Sequence, residues 1–295
     1  MQAIIDVGSN SIKLCVYHVK NGEFSLLFKQ KTTAGIAGYI ENDVLTDEGI
    51  SRAAEAIIYF KTLLGRLKVN KIAVFATASL RNIKNANCAK KALCQLTGLN
   101  IDVISGNEEA YLSYLGAALN TKIYKGAFID IGGASTELAF LLKNKPEKLI
   151  SFPIGSLSLY RACDILLIPG KEDRVALQSA VKSALDLSFF PKCPAAVFIG
   201  GTARTLKKAA KKLNLFNNTQ ESISLSSLKA LLNMLFADKK QASELILKIS
   251  PERIHTFIPG LMIMEHICNS LNADNLIISD YGAREGYLCQ KIIKA

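Results

Sequence analysis

No apolar run in this 295-residue chain reaches the roughly 18 residues that a membrane-crossing helix needs. The first residues pass directly into a strand closing on Asp6, so no signal peptide is expected either. The seven cysteines are an odd set without a C-x-x-C pair, which indicates neither a disulfide framework nor a zinc site. His18, His255 and His266 are scattered, and no Ser-His-Asp or Cys-His arrangement can be assembled around them. The GxxxxGK[ST] pattern is missing, which excludes a P-loop, and there is no low-complexity tract. With 49% hydrophobic and 21% charged residues, the chain can bury a sizeable core and is longer than one typical domain. It is expected in the cytoplasm, away from membranes. The formal charge of +11, from 36 basic and 25 acidic residues, suits an anionic partner, although lysine-rich surfaces also serve solubility.

The stretch Phe128 to Leu142, FIDIGGASTELAFLL, carries the most chemistry. An apolar run ends in Asp130, passes through Gly132, Gly133, Ala134 and Ser135, and resumes as an apolar strand. Paired glycines let backbone N–H groups converge on an anion where a Cβ would block approach. A carboxylate beside a phosphate makes sense only with a metal ion between the two charges. The N-terminus repeats the frame in AIIDVGSNSIKLCVY, where Asp6, Gly8, Ser9, Asn10 and Ser11 interrupt two apolar strands. Superposing Asp6 on Asp130 brings Gly8 onto Gly132 and Ser11 onto Ser135. The repeated D-x-G-x-x-S implies a duplication with one phosphate loop per half.

Along the chain, Asn21-Gly22 predicts a hairpin into a third strand, Glu23 to Lys31. Thr46 caps a helix from about Asp47 to Leu67, with Ile50, Ala54, Ile57, Ile58 and Leu64 on its apolar side. Arg81 follows a strand and is either a phosphate ligand or a surface residue. Ser105 and Glu108 have capping-box spacing, which leaves Glu109 for a base in a cleft or for the first turn of a helix. After Lys148 to Pro153, helical stretches are expected over Gly155 to Leu167 and Lys171 to Phe189. Gly200-Gly201-Thr202 form a third glycine loop ahead of a helix. On that helix Arg204, Lys207, Lys208, Lys211 and Lys212 share one side, the lysines facing solvent, either as a plain surface or as a track for a long polyanion. Helices from Ser224 to Phe236, Lys240 to Ile249 and Pro259 to Leu271, a strand at Leu276 to Ile278 and a helix from Ala283 complete the chain. Arg284 reads as structural.

Duplicated D-x-G loops on three-stranded meanders resemble the superfamily of actin, hexokinase and heat-shock-chaperone ATPases. Within it, DVGSNSIKL, ATASLRN, ISGNEEAYLSYLGA, DIGGASTEL, IGGTARTL, FIPGLMIM and SDYGAREG together resemble the exopolyphosphatase and guanosine pentaphosphate phosphatase family. The resemblance implies an α/β protein of two actin-like (ribonuclease H-like) domains, with mixed sheets flanked by helices and an active-site cleft between them. The first would cover 1–122, rejoined by a C-terminal helix at 284–295, and the second 123–283. Glu109 falls on the family's catalytic base. Asp130 and Glu137 fall on acidic positions associated with Mg²⁺, and Asp6 is their first-half counterpart. Ser9, Asn10, Ser11, Arg81, Gly132, Gly133, Ala134 and Ser135 would line the phosphate cleft. Ala134 departs from the family's usual glycine, which puts the closeness of the loop to phosphate in doubt. The implied activity is release of terminal phosphate from inorganic polyphosphate or guanosine pentaphosphate, with a homodimer an allowed assembly and no specific nucleic acid as partner. A kinase or ATPase of the same fold, or a non-catalytic sensor of polyphosphate or an alarmone, are the alternatives.

Overall fold

The structure, a computed structural model, describes residues 1–216 and 222–294. The first part of the chain forms β1 (Gln2–Val7), β2 (Ile12–Lys20), β3 (Glu23–Thr32), a small hairpin of β4 (Ile40–Glu41) and β5 (Val44–Leu45), and α1 (Asp47–Arg66). It continues through β6 (Ile72–Ala76), α2 (Ala78–Arg81), α3 (Ala86–Thr97), β7 (Ile101–Val103) and α4 (Gly106–Ala117). The remainder opens with β8 (Gly126–Ile131), β9 (Thr136–Leu142), β10 (Lys145–Phe152), α5 (Ser156–Ala162), α6 (Arg174–Ala184), β11 (Ala195–Ile199) and α7 (Gly200–Leu213). It ends with β12 (Ser222–Ser224), α8 (Leu225–Ala237), α9 (Lys239–Ile249), α10 (Phe257–Leu271), β13 (Asn275–Ile278) and α11 (Ala283–Tyr287). Two compact units result: Met1–Gly106 with the C-terminal residues from Gln290, and Asn107–Cys289. No helix among the described residues is long and apolar enough to cross a membrane.

Each unit has its own sheet, and the strand orders correspond. The first runs β3-β2-β1-β6-β7 and the second β10-β9-β8-β11-β13-β12. In both, an antiparallel meander is extended on one side by parallel strands, β1 beside β6 and β8 beside β11. The hairpin turns match as well. Asn21 (φ 53°) and Gly22 (φ 82°) join β2 to β3, and Lys143 (φ 53°) and Asn144 (φ 59°) join β9 to β10. Two successive left-handed residues give the turn whose twist suits the flanking strands.

Burial follows side-chain alternation. In the first unit Ala3, Ile5, Val7, Ile12, Leu14 and Val16 meet Ile50, Ala53, Ile57, Phe60 and Leu64 of α1. Thr46 caps α1 by accepting the Gly49 N–H at 3.2 Å. Ile58, expected on the buried side, is exposed, and Phe60 takes that place. In the second unit Ala127, Ile129, Leu138 and Phe140 point to the main core with α7 and α10. Phe128, Ala139, Leu141, Val197 and Ile199 point to the other face, against Tyr114 and Ala117 of α4. Each fully buried Leu, Ile or Phe contributes about 1.5–3 kcal/mol.

The helical stretches expected over 155–167 and 171–189 are shorter than their patterns suggested. α5 ends at Ala162, ahead of left-handed Asp164 and Leu167. α6 ends at Ala184, after which Asp186 Oδ1 accepts the Ser188 N–H at 2.9 Å and turns the chain. Strands β4, β5 and β12 were not legible because two or three residues carry no periodicity.

Helix α11 packs on α4 through glycines. A methyl group at Gly116 would collide with the Gly282 carbonyl, and one at Gly286 with the Leu112 carbonyl. Gly116→Ala should therefore destabilise the second unit by about 1–3 kcal/mol, as forced overpacking does. Denaturant unfolding would measure it against Gly65→Ala, where open space surrounds the new methyl.

Candidate functional site

The two D-x-G-x-x-S loops fold alike down to single hydrogen bonds. The Gly8 N–H donates to the Ser11 carbonyl at 3.3 Å, and the Gly132 N–H to the Ser135 carbonyl at 2.9 Å. A Cβ on either glycine would stand 3.1 Å from that carbonyl oxygen.

Two further carbonyls of each loop are held from behind. In the first loop, Ser9 accepts from the Ala37 N–H at 2.9 Å and Asn10 from the Gly35 N–H at 3.0 Å. In the second, Gly132 accepts from Ser156 N–H, and Gly133 from Leu157 and Ser158 N–H, all at 2.9 Å, so the N-terminus of α5 carries the loop. Gly155 permits that approach, since a Cβ there would lie 2.6 Å from the Gly133 carbonyl carbon. The amides of Gly133, Ala134 and Ser135 donate to no carbonyl among the described residues, and neither do those of Ser9, Asn10 and Ser11. Carbonyls tied back with amides left over form a concave anion-binding nest. Ala134 supplies an amide to it as a glycine would.

The carboxylates differ between the halves. Asp6 lies opposite Lys13 in the β1–β2 ladder, and its carboxylate pairs with the Lys13 ammonium at 3.4 Å. Seven residues along, where the first half has Lys13, the second has Glu137, opposite Asp130. Asp6, expected beside a metal, thus has a resident cation. Asp130 and Glu137 face each other as like charges, an arrangement that costs stability unless something neutralises it. Glu137 is 1% exposed and accepts the Ser151 hydroxyl at 2.7 Å. Asp130 accepts the Ser113 hydroxyl at 2.9 Å. Ser113 is one turn after Glu109 on α4, so both lie on the face turned to Asp130. Glu109 is buried and Glu108 half-buried.

Among the described residues no three His, Cys, Asp or Glu side chains cluster as a metal cage. A pair of opposed carboxylates still fits Mg²⁺, which is held by one or two carboxylates with substrate phosphates and water filling the other positions.

The third glycine loop brings in a residue that the sequence did not announce. Gly200 (φ 90°) packs on Asp130, where a Cβ would meet Oδ1 at 2.6 Å. Gly201 leaves room for the Arg253 guanidinium, which lies where a side chain would stand. Arg253 is held down at about 10 by burial and then by the charge of Arg204. Arg204 is lowered by burial and by Arg284, with Asp130, Glu285 and Asp280 opposing. Neither Arg204 nor Arg253 makes an ion pair or hydrogen bond among the described residues. Two partly buried guanidiniums beside helix N-terminal amides suit an anion. The arginine at 253 lies on a short turn far along the chain, and only tertiary packing reveals it.

The lysines behind Arg204 are less available than expected. Lys207 pairs with Asp280 at 2.8 Å and Lys208 donates to the Ile249 carbonyl at 2.8 Å, whereas Lys211 and Lys212 are exposed. In the first unit Arg81 donates to the Ile104 carbonyl at 3.3 Å.

Matched sheets of this order, each bearing an amide-rich loop beside a carboxylate, define a phosphate-handling protein of the actin-like ATPase fold. The chain belongs to the Ppx/GppA phosphatase family, whose model matches residues 15–295. It is 28% identical over 97% of its length to a protein of Haemophilus influenzae named an exopolyphosphatase, covering 90% of that protein. It is 30% identical, over 99% of its length, to a guanosine-5'-triphosphate,3'-diphosphate pyrophosphatase of Aliivibrio fischeri, and spans 59% of that relative. The crystal structure of the Aquifex aeolicus Ppx/GppA family member superposes with a TM-score of 0.79 at 26% identity, covering 99% of this chain and 97% of the other.

Burial holds Arg253 at about 10, below the ordinary arginine range. Its charge therefore costs stability at every pH below about 10, and the cost fades as pH rises from there towards the ordinary arginine range. At neutral pH, pyrophosphate should raise the melting temperature. Arg253→Gln should melt no lower than the parent without ligand and lose most of the pyrophosphate shift. An undiminished shift would assign the anion to other residues.

Proposed function

We propose that the protein hydrolyses the terminal phosphoanhydride of inorganic polyphosphate or guanosine pentaphosphate, with Glu109 directing the attacking water. The observation that carries this reading is the second loop, with free amides at Gly133, Ala134 and Ser135 beside the opposed Asp130 and Glu137. Those amides and the Ser135 hydroxyl would hold the terminal phosphoryl group. Water would attack its phosphorus in line as the bridging P–O bond breaks, and Glu109 would take the proton. The shortened polyphosphate, or guanosine tetraphosphate, departs with the bridging oxygen, and orthophosphate is released. Ser113 positions Asp130. A Mg²⁺ ion bound by Asp130, Glu137 and the substrate would supply charge neutralisation.

Arg204 and Arg253 would take a further phosphate of the same substrate; in the first unit the loop residues Ser9, Asn10 and Ser11, and Arg81 of α2, would offer phosphate contacts of their own. Lys211 and Lys212 remain exposed for the distal part of a long chain, while Lys207 and Lys208 would first have to leave Asp280 and Ile249. The names of the two curated relatives support this substrate class for those proteins.

The test is phosphate release from long polyphosphate, short polyphosphate, guanosine pentaphosphate and ATP, with and without Mg²⁺. Release from polyphosphate or guanosine pentaphosphate, dependent on the cation, is expected. Release from ATP alone would indicate an ATPase, and binding without turnover a sensor. Glu109→Gln should lower kcat by about 10²- to 10⁴-fold while substrate still binds. Glu108→Gln should leave kcat near the parent value, and the opposite pattern would exchange the two roles.

A further inference from the structure

Away from the glycine loops, α6 and α10 leave between them a cavity of about 160 Å³. That is room for about five waters, and about half of the roughly 300 Å³ at which pockets for drug-sized ligands begin. Val181 and Met262 give it an apolar floor. Glu265 enters from α10 with the residue only 8% exposed, and its carboxylate makes no hydrogen bond or ion pair among the described residues. Its neighbour His266 is committed elsewhere. Its Nε2 lies 2.9 Å from the Leu185 carbonyl, and because a carbonyl can only accept, Nε2–H is the donor. Lys182 stands at the rim, exposed and without an ion pair among the described residues, and the amide side chains of Gln178 and Asn269 complete the mouth.

A carboxylate on a residue so little exposed, lining a cavity and without a hydrogen bond or ion pair among the described residues, is a ready seat for a ligand cation. The Lys182 ammonium, exposed at the mouth, would in turn attract an anionic end. We propose that this cavity binds a small zwitterion of the free amino acid class, its ammonium inward on Glu265 and its carboxylate outward near Lys182. A simple amine would satisfy Glu265 but leave Lys182 unused, and a simple carboxylate would meet Glu265 as a like charge. The placement is independent of the phosphatase reading, since none of these residues belongs to the glycine loops.

Titration calorimetry and thermal melting of the whole protein with glycine, glutamine and γ-aminobutyrate, and with putrescine and acetate as single-sign controls, test the proposal. At least one zwitterion should bind saturably and raise the melting temperature, with the controls at least tenfold weaker. Glu265→Gln should abolish that binding while leaving the unliganded protein at least as stable, because the lone buried charge is gone. Lys182→Gln should weaken binding at least tenfold. Absence of saturable binding by every zwitterion would overturn the inference. So would putrescine binding as tightly as the zwitterions and unaffected by Lys182→Gln. Equal destabilisation by Glu265→Gln, Lys182→Gln and the double variant would also overturn it, by showing that the two side chains pair with each other.

Discussion

A backbone can offer its amides to an anion only if the carbonyls of the same loop are satisfied elsewhere, and both phosphate loops are built around that constraint. Every peptide unit carries a donor and an acceptor, and an acceptor left facing a phosphate would repel it. Here the acceptors of Ser9 and Asn10 are taken by Gly35 and Ala37, and those of Gly132 and Gly133 by the first turn of α5. The supporting segments differ, one a short turn and the other a helix, yet the outcome for the amides is the same. Gly155 belongs to this arrangement although it follows the loop in sequence, because only a residue without a Cβ lets α5 approach.

Charge is then distributed unequally over two similar frames. The first half answers Asp6 with Lys13, a pair complete in itself. The second puts Glu137 at the corresponding place, and Ser113 and Ser151 donate hydroxyls to Asp130 and Glu137. A short way off, Arg204 lowers the proton affinity of Arg253, and neither makes an ion pair within 4 Å among the described residues. Burial of these guanidiniums costs stability, and a bound anion would offset that cost. That cost to stability is common where binding is the purpose.

Much of this could be read from the chain. The duplicated D-x-G-x-x-S frame, the meanders and the cap on α1 depend on neighbours a few residues apart, so alternation, turn chemistry and cap spacing expose them. The differing burial of Glu108 and Glu109 is of the same local kind, because a helix start turns adjacent residues in different directions. Arg253 escaped, since a lone arginine before an apolar helix looks like any surface residue. The partners of Lys207 and Lys208 escaped for a related reason: helical spacing placed the two on one face but said nothing of Asp280 or the Ile249 carbonyl waiting there.

The sequence by itself determined the strands, the loops between them and the repeat, because these follow from hydrogen-bond geometry and side-chain periodicity over short stretches. Tertiary structure decided which carbonyls were tied back, which lysine met a carboxylate and which arginines were buried together. Those outcomes depend on desolvation and on contacts between segments far apart in the chain, and neither quantity is a property of any local run of residues.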